Sequence, residues 1–184
     1  MKKYVITLSK QFMKGHQKAG ESTYFKEQLL NTLFDNAGIS ACDCCEYKTR
    51  NCDLCGHKAS NFRKKLHTIR GNYELWKKRI DEVQKGNAVL SIRQWSDKQY
   101  RSKQEVICEL SAKDGVGIQK LLSMDDICAY YVKSDKIRNV LGEDLETVAN
   151  NDGLSIDEFK CWFKKKLPTP NSPMAIIHFT KFRY

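Results

Sequence analysis

No apolar run in the sequence approaches the roughly 20 residues that a membrane-crossing helix needs, and there is no internal repeat and no low-complexity tract. Those absences exclude a helical membrane protein, a repeat solenoid and a compositionally biased disordered chain. The opening MKKYVITLSKQF also lacks the features of a secretory leader. It carries only the short apolar run Tyr4–Leu8, whereas a leader needs about 7–15 apolar residues and a cleavage site. The expectation is a first strand in an intracellular, cytoplasmic protein. Hydrophobic residues at 41% and charged residues at 29% support a folded core, and 184 residues suffice for one domain carrying an insertion.

Acid is the next scarcity. The chain has 22 acidic against 32 basic residues, a net +10. The excess is concentrated. Between Lys58 and Lys103, a quarter of the chain, thirteen basic residues face four acidic ones (Glu74, Asp81, Glu82 and Asp97) and hold +9 of that charge. A concentrated positive field favours phosphate-bearing partners. The alternative is a soluble basic surface with no partner.

Periodicity outlines the elements. After the first strand, Ser22 or Thr23 can cap a helix to about Phe34, with Phe25, Leu29 and Leu33 on one face. From Asp35 to about Lys64 no apolar period is visible. Leu66–Arg70 reads as a short strand, and Tyr73–Lys85 as a helix with Trp76, Ile80 and Val83 together and Gly86 as its stop. Strands are expected at Ala88–Trp95, Glu105–Leu110 and Ile118–Leu122, whereas Ile127–Val140 is ambiguous. Leu145, Val148 and Ala149 suit a short helix closed near Gly153. Ser155 and Glu158 form a capping box that opens another, with Phe159, Trp162 and Phe163 inward and Pro168 and Pro170 beyond its end. Met174–Phe182 is a last apolar strand. This pattern implies an α+β domain spanning 1–184, built on a mainly antiparallel sheet or small barrel, with a cysteine-rich insertion at 36–64.

Five of the eight cysteines crowd into that insertion, CDCCEYKTRNCDLCGHK. Cys42 and Cys45, then Cys52 and Cys55, make two CxxC pairs, each able to bring two thiolates onto one ion. Four thiolates would close a tetrahedral structural zinc site. Cys44 and His57 are surplus, and either could replace a ligand. Free thiols and disulfides are the other readings. Cys108, Cys128 and Cys161 sit singly in apolar segments, as buried small residues do.

The segment KLHTIR, Lys65–Arg70, draws the most attention. As a strand it turns Leu66, Thr68 and Arg70 to one face and His67 and Ile69 to the other. A lysine beside a threonine hydroxyl is a usable base–nucleophile pair when burial lowers the lysine pKa, and an arginine there can hold an oxygen. A solvated basic strand edge is the plainer reading. The segment resembles the lysine-x-x-threonine-x-arginine signature of ASCH domains, in the PUA-like superfamily. VANNDGLSIDEFKCWF (Val148–Phe163) is similar to the ASCH segment in which a helix ends at an acid and a glycine before a helix bearing phenylalanine and tryptophan. MAIIHFTKF resembles the family's last strand. The resemblance looks closest to longer bacterial and phage members.

The resemblance implies a small β-barrel with flanking helices that binds RNA, a nucleotide or a modified nucleoside. One branch of the family consists of amidohydrolases that deacylate acetylcytidine with a lysine, a threonine and a glutamate. Carried over by motif, these fall on Lys65, Thr68 and Asp152, with an aspartate in the glutamate's place. Arg70 would bind ligand.

RQWSDKQYRSK adds Arg93, Trp95, Tyr100 and Arg101 as ligand-binding candidates, since aromatic rings stack bases while cations take phosphates. A hairpin whose aromatics cover the core is the alternative. His16 and Glu21 fall in a polar loop after the first strand. The expected function is nucleoside or RNA binding, with nucleoside amidohydrolysis second and a structural or protein-binding domain third.

Overall fold

The structure is a computed structural model that describes residues 1–37, 63–124, 129–133, 136–140, 142–165 and 167–184. The four metal-ligand candidates Cys42, Cys45, Cys52 and Cys55 lie outside the described residues, as do Cys44, His57 and Cys128.

Strand β1 is Lys2–Leu8, helix α1 Phe25–Ala37, β2 His67–Arg70 and α2 Tyr73–Gln84. Then come β3 Ala88–Trp95, β4 Gln104–Leu110, a 3-10 turn at Ala112–Asp114, and β5 Gly117–Met124. The segment that was ambiguous in sequence contains a hairpin, β6 Ala129–Lys133 and β7 Lys136–Val140. Helices α3 Gly142–Asn151 and α4 Ile156–Phe163 lead to β8 Met174–His178.

The strands form two open sheets. One runs β1-β3-β4, with β1 parallel to β3 and β4 antiparallel to it. The other runs β2-β8-β5-β6-β7 and is antiparallel throughout. The architecture is thus α+β, and among the described residues no closed barrel forms. The pairing is mainly antiparallel, as expected, and β1–β3 is the one parallel pair among the described residues. It follows from the long crossover through α1, β2 and α2, which returns the chain in the same direction.

One apolar cluster joins the two sheets. Ile6, Leu8 and Ile92 of the smaller sheet meet Ile69, Leu121, Ile176 and Ile177 of the larger. Helices close its sides: Phe25 and Leu29 from α1, Trp76, Ile80 and Val83 from α2, Val148 from α3, and Phe159 and Phe163 from α4. Trp162 is only partly buried and faces the site described below. The strand expected to reach Phe182 ends at His178, after which Arg183 bends back to donate to the Thr180 and Gly115 carbonyls. Among the described residues no helix is long and apolar enough to cross a membrane.

Candidate functional site

β2 carries the signature. Thr68 and Arg70 line a cavity of about 430 Å³, and so does Ile69, which was expected on the other face, while His67 sits buried on the far side against Tyr184. Lys65 precedes the strand, and helix α1 captures its backbone. The Lys65 N–H donates to Thr32 Oγ1 at 2.9 Å and reaches the Gln28 carbonyl at 3.3 Å. Gln28 and Thr32 are polar yet buried on the helix's inner face. The Thr32 hydroxyl satisfies a chain that arrives edge-on, since an unpaired buried N–H is costly, whereas Gln28 contributes only its backbone carbonyl.

The Lys65 side chain is 1% exposed and ends on Asp152. Nζ donates to Oδ1 at 2.6 Å and also to the Asp152 carbonyl. The Phe25 ring lies under the ammonium, its centroid 4.0 Å away, within range of a favourable cation–π contact. Asp152 follows the last residue of α3, whose end is drawn to the signature by the backbone: Leu66 N–H donates to the Asn151 carbonyl at 2.7 Å. That bond lets a short aspartate span the gap to Lys65. Gly153 follows with φ +82°, a conformation that favours glycine. A side chain there would also collide with Gln28, whose Oε1 lies 1.8 Å from the Cβ position.

Electrostatics pull this pair in opposing senses. Burial pushes the Lys65 ammonium below its usual range, and the Asp152 charge resists. The same burial pushes the Asp152 carboxyl up, against the attraction of Lys65. The two effects bring the ion pair and the proton-transferred neutral pair closer in energy than they would be in water.

Thr68 is buried to 5% exposure, and its side chain has no hydrogen bond among the described residues. Lys65 therefore engages Asp152 and not Thr68. Arg70 Nη2 donates to the Thr7 carbonyl at 2.8 Å, which fixes the guanidinium in the cavity wall. Trp95 and Tyr100 stand at the same cavity, with ring centroids 5.6 Å apart and Tyr100 80% exposed. Lys65, Thr68, Arg70, Trp95, Tyr100 and Asp152 are thus brought together. Arg93 and Arg101 are not in the lining: Arg93 Nε donates to Ser91 Oγ at 3.1 Å, and Arg101 is exposed on the β3–β4 loop.

The cavity also uses residues with no motif around them. Phe25 and Trp162 look like core in a helical period, yet they form wall and floor, 5.6 Å apart edge to face. Thr7 and Gln104 pair across the smaller sheet at 3.3 Å. His16 is structural: it stacks on Phe12 at 4.4 Å, and Nε2 lies 3.1 Å from the Glu158 carbonyl, pinning the loop to α4. Glu21 is exposed. Cys108 and Cys161 are half-buried, a correction to the expectation of full burial, and burial pushes the Cys108 thiol up to about 12. Among the described residues no His, Cys, Asp and Glu group is arranged to hold a metal.

No protein-family model, curated protein or solved structure matches the chain.

Proposed function

We propose that the cavity binds one nucleoside, free or at an unpaired position in RNA, and that the chain is an ASCH-type member of the PUA-like superfamily. The observation that carries the reading is the buried Lys65–Asp152 pair beside an unpartnered Thr68 hydroxyl, with Trp95 and Tyr100 at the same opening. Its volume of about 430 Å³ falls in the range of small-ligand sites, about 300–1,000 Å³. The aromatic pair offers stacking, and the polar groups can read the edge of a base. Lys98, Arg101 and Lys103 ride the loop that contributes Tyr100 and add positive charge to it.

Deacylation of a modified nucleoside such as acetylcytidine is the second reading. It is favoured by the free Thr68 hydroxyl in the same cavity as a lysine whose pKa burial lowers. Thr68 Oγ would form a bond to the acyl carbon and pass its proton to Lys65. The carbon–nitrogen bond would break as Lys65 returns that proton to the leaving amine, and water would then hydrolyse the threonyl ester. Asp152 would orient Lys65. The CxxC pairs support a structural zinc on sequence grounds alone. About one equivalent of zinc is expected in protein purified without added metal, and less than about half an equivalent with the fold intact would contradict it.

Titration with cytidine, acetylcytidine and single-stranded RNA at two salt concentrations tests the function. Nucleoside affinity should change little with salt, and RNA affinity should fall steeply as counterions are released. Trp95→Ala should weaken both by roughly tenfold or more, the usual loss for a stacked base. Absence of binding by all three ligands would refute the reading. Release of acetate from acetylcytidine, abolished by Thr68→Ala, would favour the second.

A further inference from the structure

A second polar cluster lies behind β2, away from the cavity, and nucleoside binding makes no use of it. His67 and His178 are both fully buried, with ring centroids 5.6 Å apart. The Tyr184 hydroxyl sits 2.7 Å from His67 Nε2 and accepts from Asn151 Nδ2 at 3.1 Å. Gln119 clamps the Tyr184 main chain, accepting from its N–H at 2.9 Å and donating to its oxygen at 3.3 Å. Asn151 immediately precedes Asp152. One hydroxyl therefore ties the signature strand to the end of α3 that delivers the acid.

The polar neighbours of His67 favour one tautomer. Burial, with His178 and Lys65 nearby, keeps the ring neutral, so one nitrogen carries hydrogen and the other accepts. The Tyr184 hydroxyl accepts from the Asn151 amide and can give its own proton to His67 Nε2, 2.7 Å away. The ring hydrogen then resides on Nδ1. The surroundings of Nδ1 require the same. It makes no hydrogen bond of good geometry, Asp152 Oδ1 stands 3.9 Å away, and the Val148 carbonyl lies beside the ring. Both neighbours are acceptors, so a lone pair would repel them and an N–H attracts them.

We propose that His67 is a positioning residue for the Lys65–Asp152 pair: Tyr184 holds it in the Nδ1–H tautomer, and that N–H, 3.9 Å from Asp152 Oδ1, favours the ionised carboxylate and so the proton on Lys65. A ligand entering the cavity then meets an ammonium donor and not an amine. That last consequence rests on the nucleoside-binding reading and opposes the deacylation reading, which needs Lys65 as an amine, whereas the tautomer depends on neither.

Nitrogen-15 NMR of the imidazoles in the ligand-free protein, assigned by through-bond correlation, tests the proposal. The expected His67 is protonated at Nδ1 and bare at Nε2 at neutral pH. In Tyr184→Phe the proton moves to Nε2 or divides between the two nitrogens, and Lys65 Nζ loses its proton at a lower pH than in the parent. A parent ring protonated at Nε2 overturns the proposal, even if the variant does not fold. An unchanged tautomer or an unchanged Lys65 titration in folded Tyr184→Phe overturns it as well. With cytidine as ligand, His67→Asn, whose Nδ2 can stand in for Nδ1–H, keeps its affinity, and His67→Leu loses roughly tenfold. Equal affinity in the two variants overturns the positioning role. Failure of the parent to bind cytidine refutes nucleoside binding and leaves the tautomer result intact.

Discussion

A lysine with 1% of its surface exposed persists because Asp152 meets it, since an isolated buried ammonium costs several kcal/mol. Removing one partner strands the other. Asp152→Asn should destabilise the fold by about 3–5 kcal/mol, while the double variant Lys65→Met, Asp152→Leu should be about as stable as the parent and lack ligand binding. Denaturant unfolding at neutral pH checks both, and a double variant as unstable as the single one would show that the pair is retained for stability. His178 yields a second residue-scale prediction. Burial lowers its pKa to about 3, against about 6.5 in an unfolded chain. Between those values the unfolded chain binds a proton that the native state refuses. Stability from this group is full above about pH 6.5 and falls as the pH drops, by at most about 1.4 kcal/mol per unit. The stability difference between the parent and His178→Gln should therefore shift in the variant's favour from pH 7 to pH 5. A difference that stays constant would contradict the burial account. At this scale the sequence disclosed Lys65, Thr68 and Arg70 through alternation and resemblance. It concealed Phe25 and Trp162, because an aromatic at helical spacing looks alike whether it faces core or cavity.

At the scale of elements, the site depends on how α3 ends. Gly153 takes a left-handed turn against Gln28 of α1, and this places Asp152 over Lys65. Gly153→Ala should cost about 1–3 kcal/mol through backbone strain alone, more if Gln28 cannot move, and should weaken cytidine binding. Ser155→Ala, which removes the α4 capping box, should cost about 1 kcal/mol and leave binding intact. Thermal unfolding and titration of both variants check this, and equal effects on binding would contradict the assigned role of the turn. The capping box and the acid–glycine end were readable because they are local signals of a few residues. The β6–β7 hairpin was ambiguous because its residues fit no single period. The parallel β1–β3 pairing was hidden because its partners lie more than 80 residues apart, and nothing local specifies such a contact.

For the molecule as a whole, two open sheets share one core, and the cavity opens where β1, β2 and the β3–β4 loop meet. Nine of the thirteen basic residues in the basic quarter of the sequence divide between two places. Lys65 and Arg70 enter the cavity and Lys98, Arg101 and Lys103 ride its loop, whereas Lys77, Lys78, Arg79 and Lys85 belong to α2 or its end. The sequence showed the amount of charge but not this division, because linear clustering carries no information about which elements face the same opening. The central claim is that the cavity holds a nucleoside over the Lys65–Asp152 pair. Amide and side-chain NMR shifts on addition of cytidine test it most directly. The account predicts saturable shifts concentrated at Thr68, Arg70, Trp95, Tyr100 and Asp152, and saturating cytidine that perturbs only α2 or leaves the spectrum unchanged would contradict it.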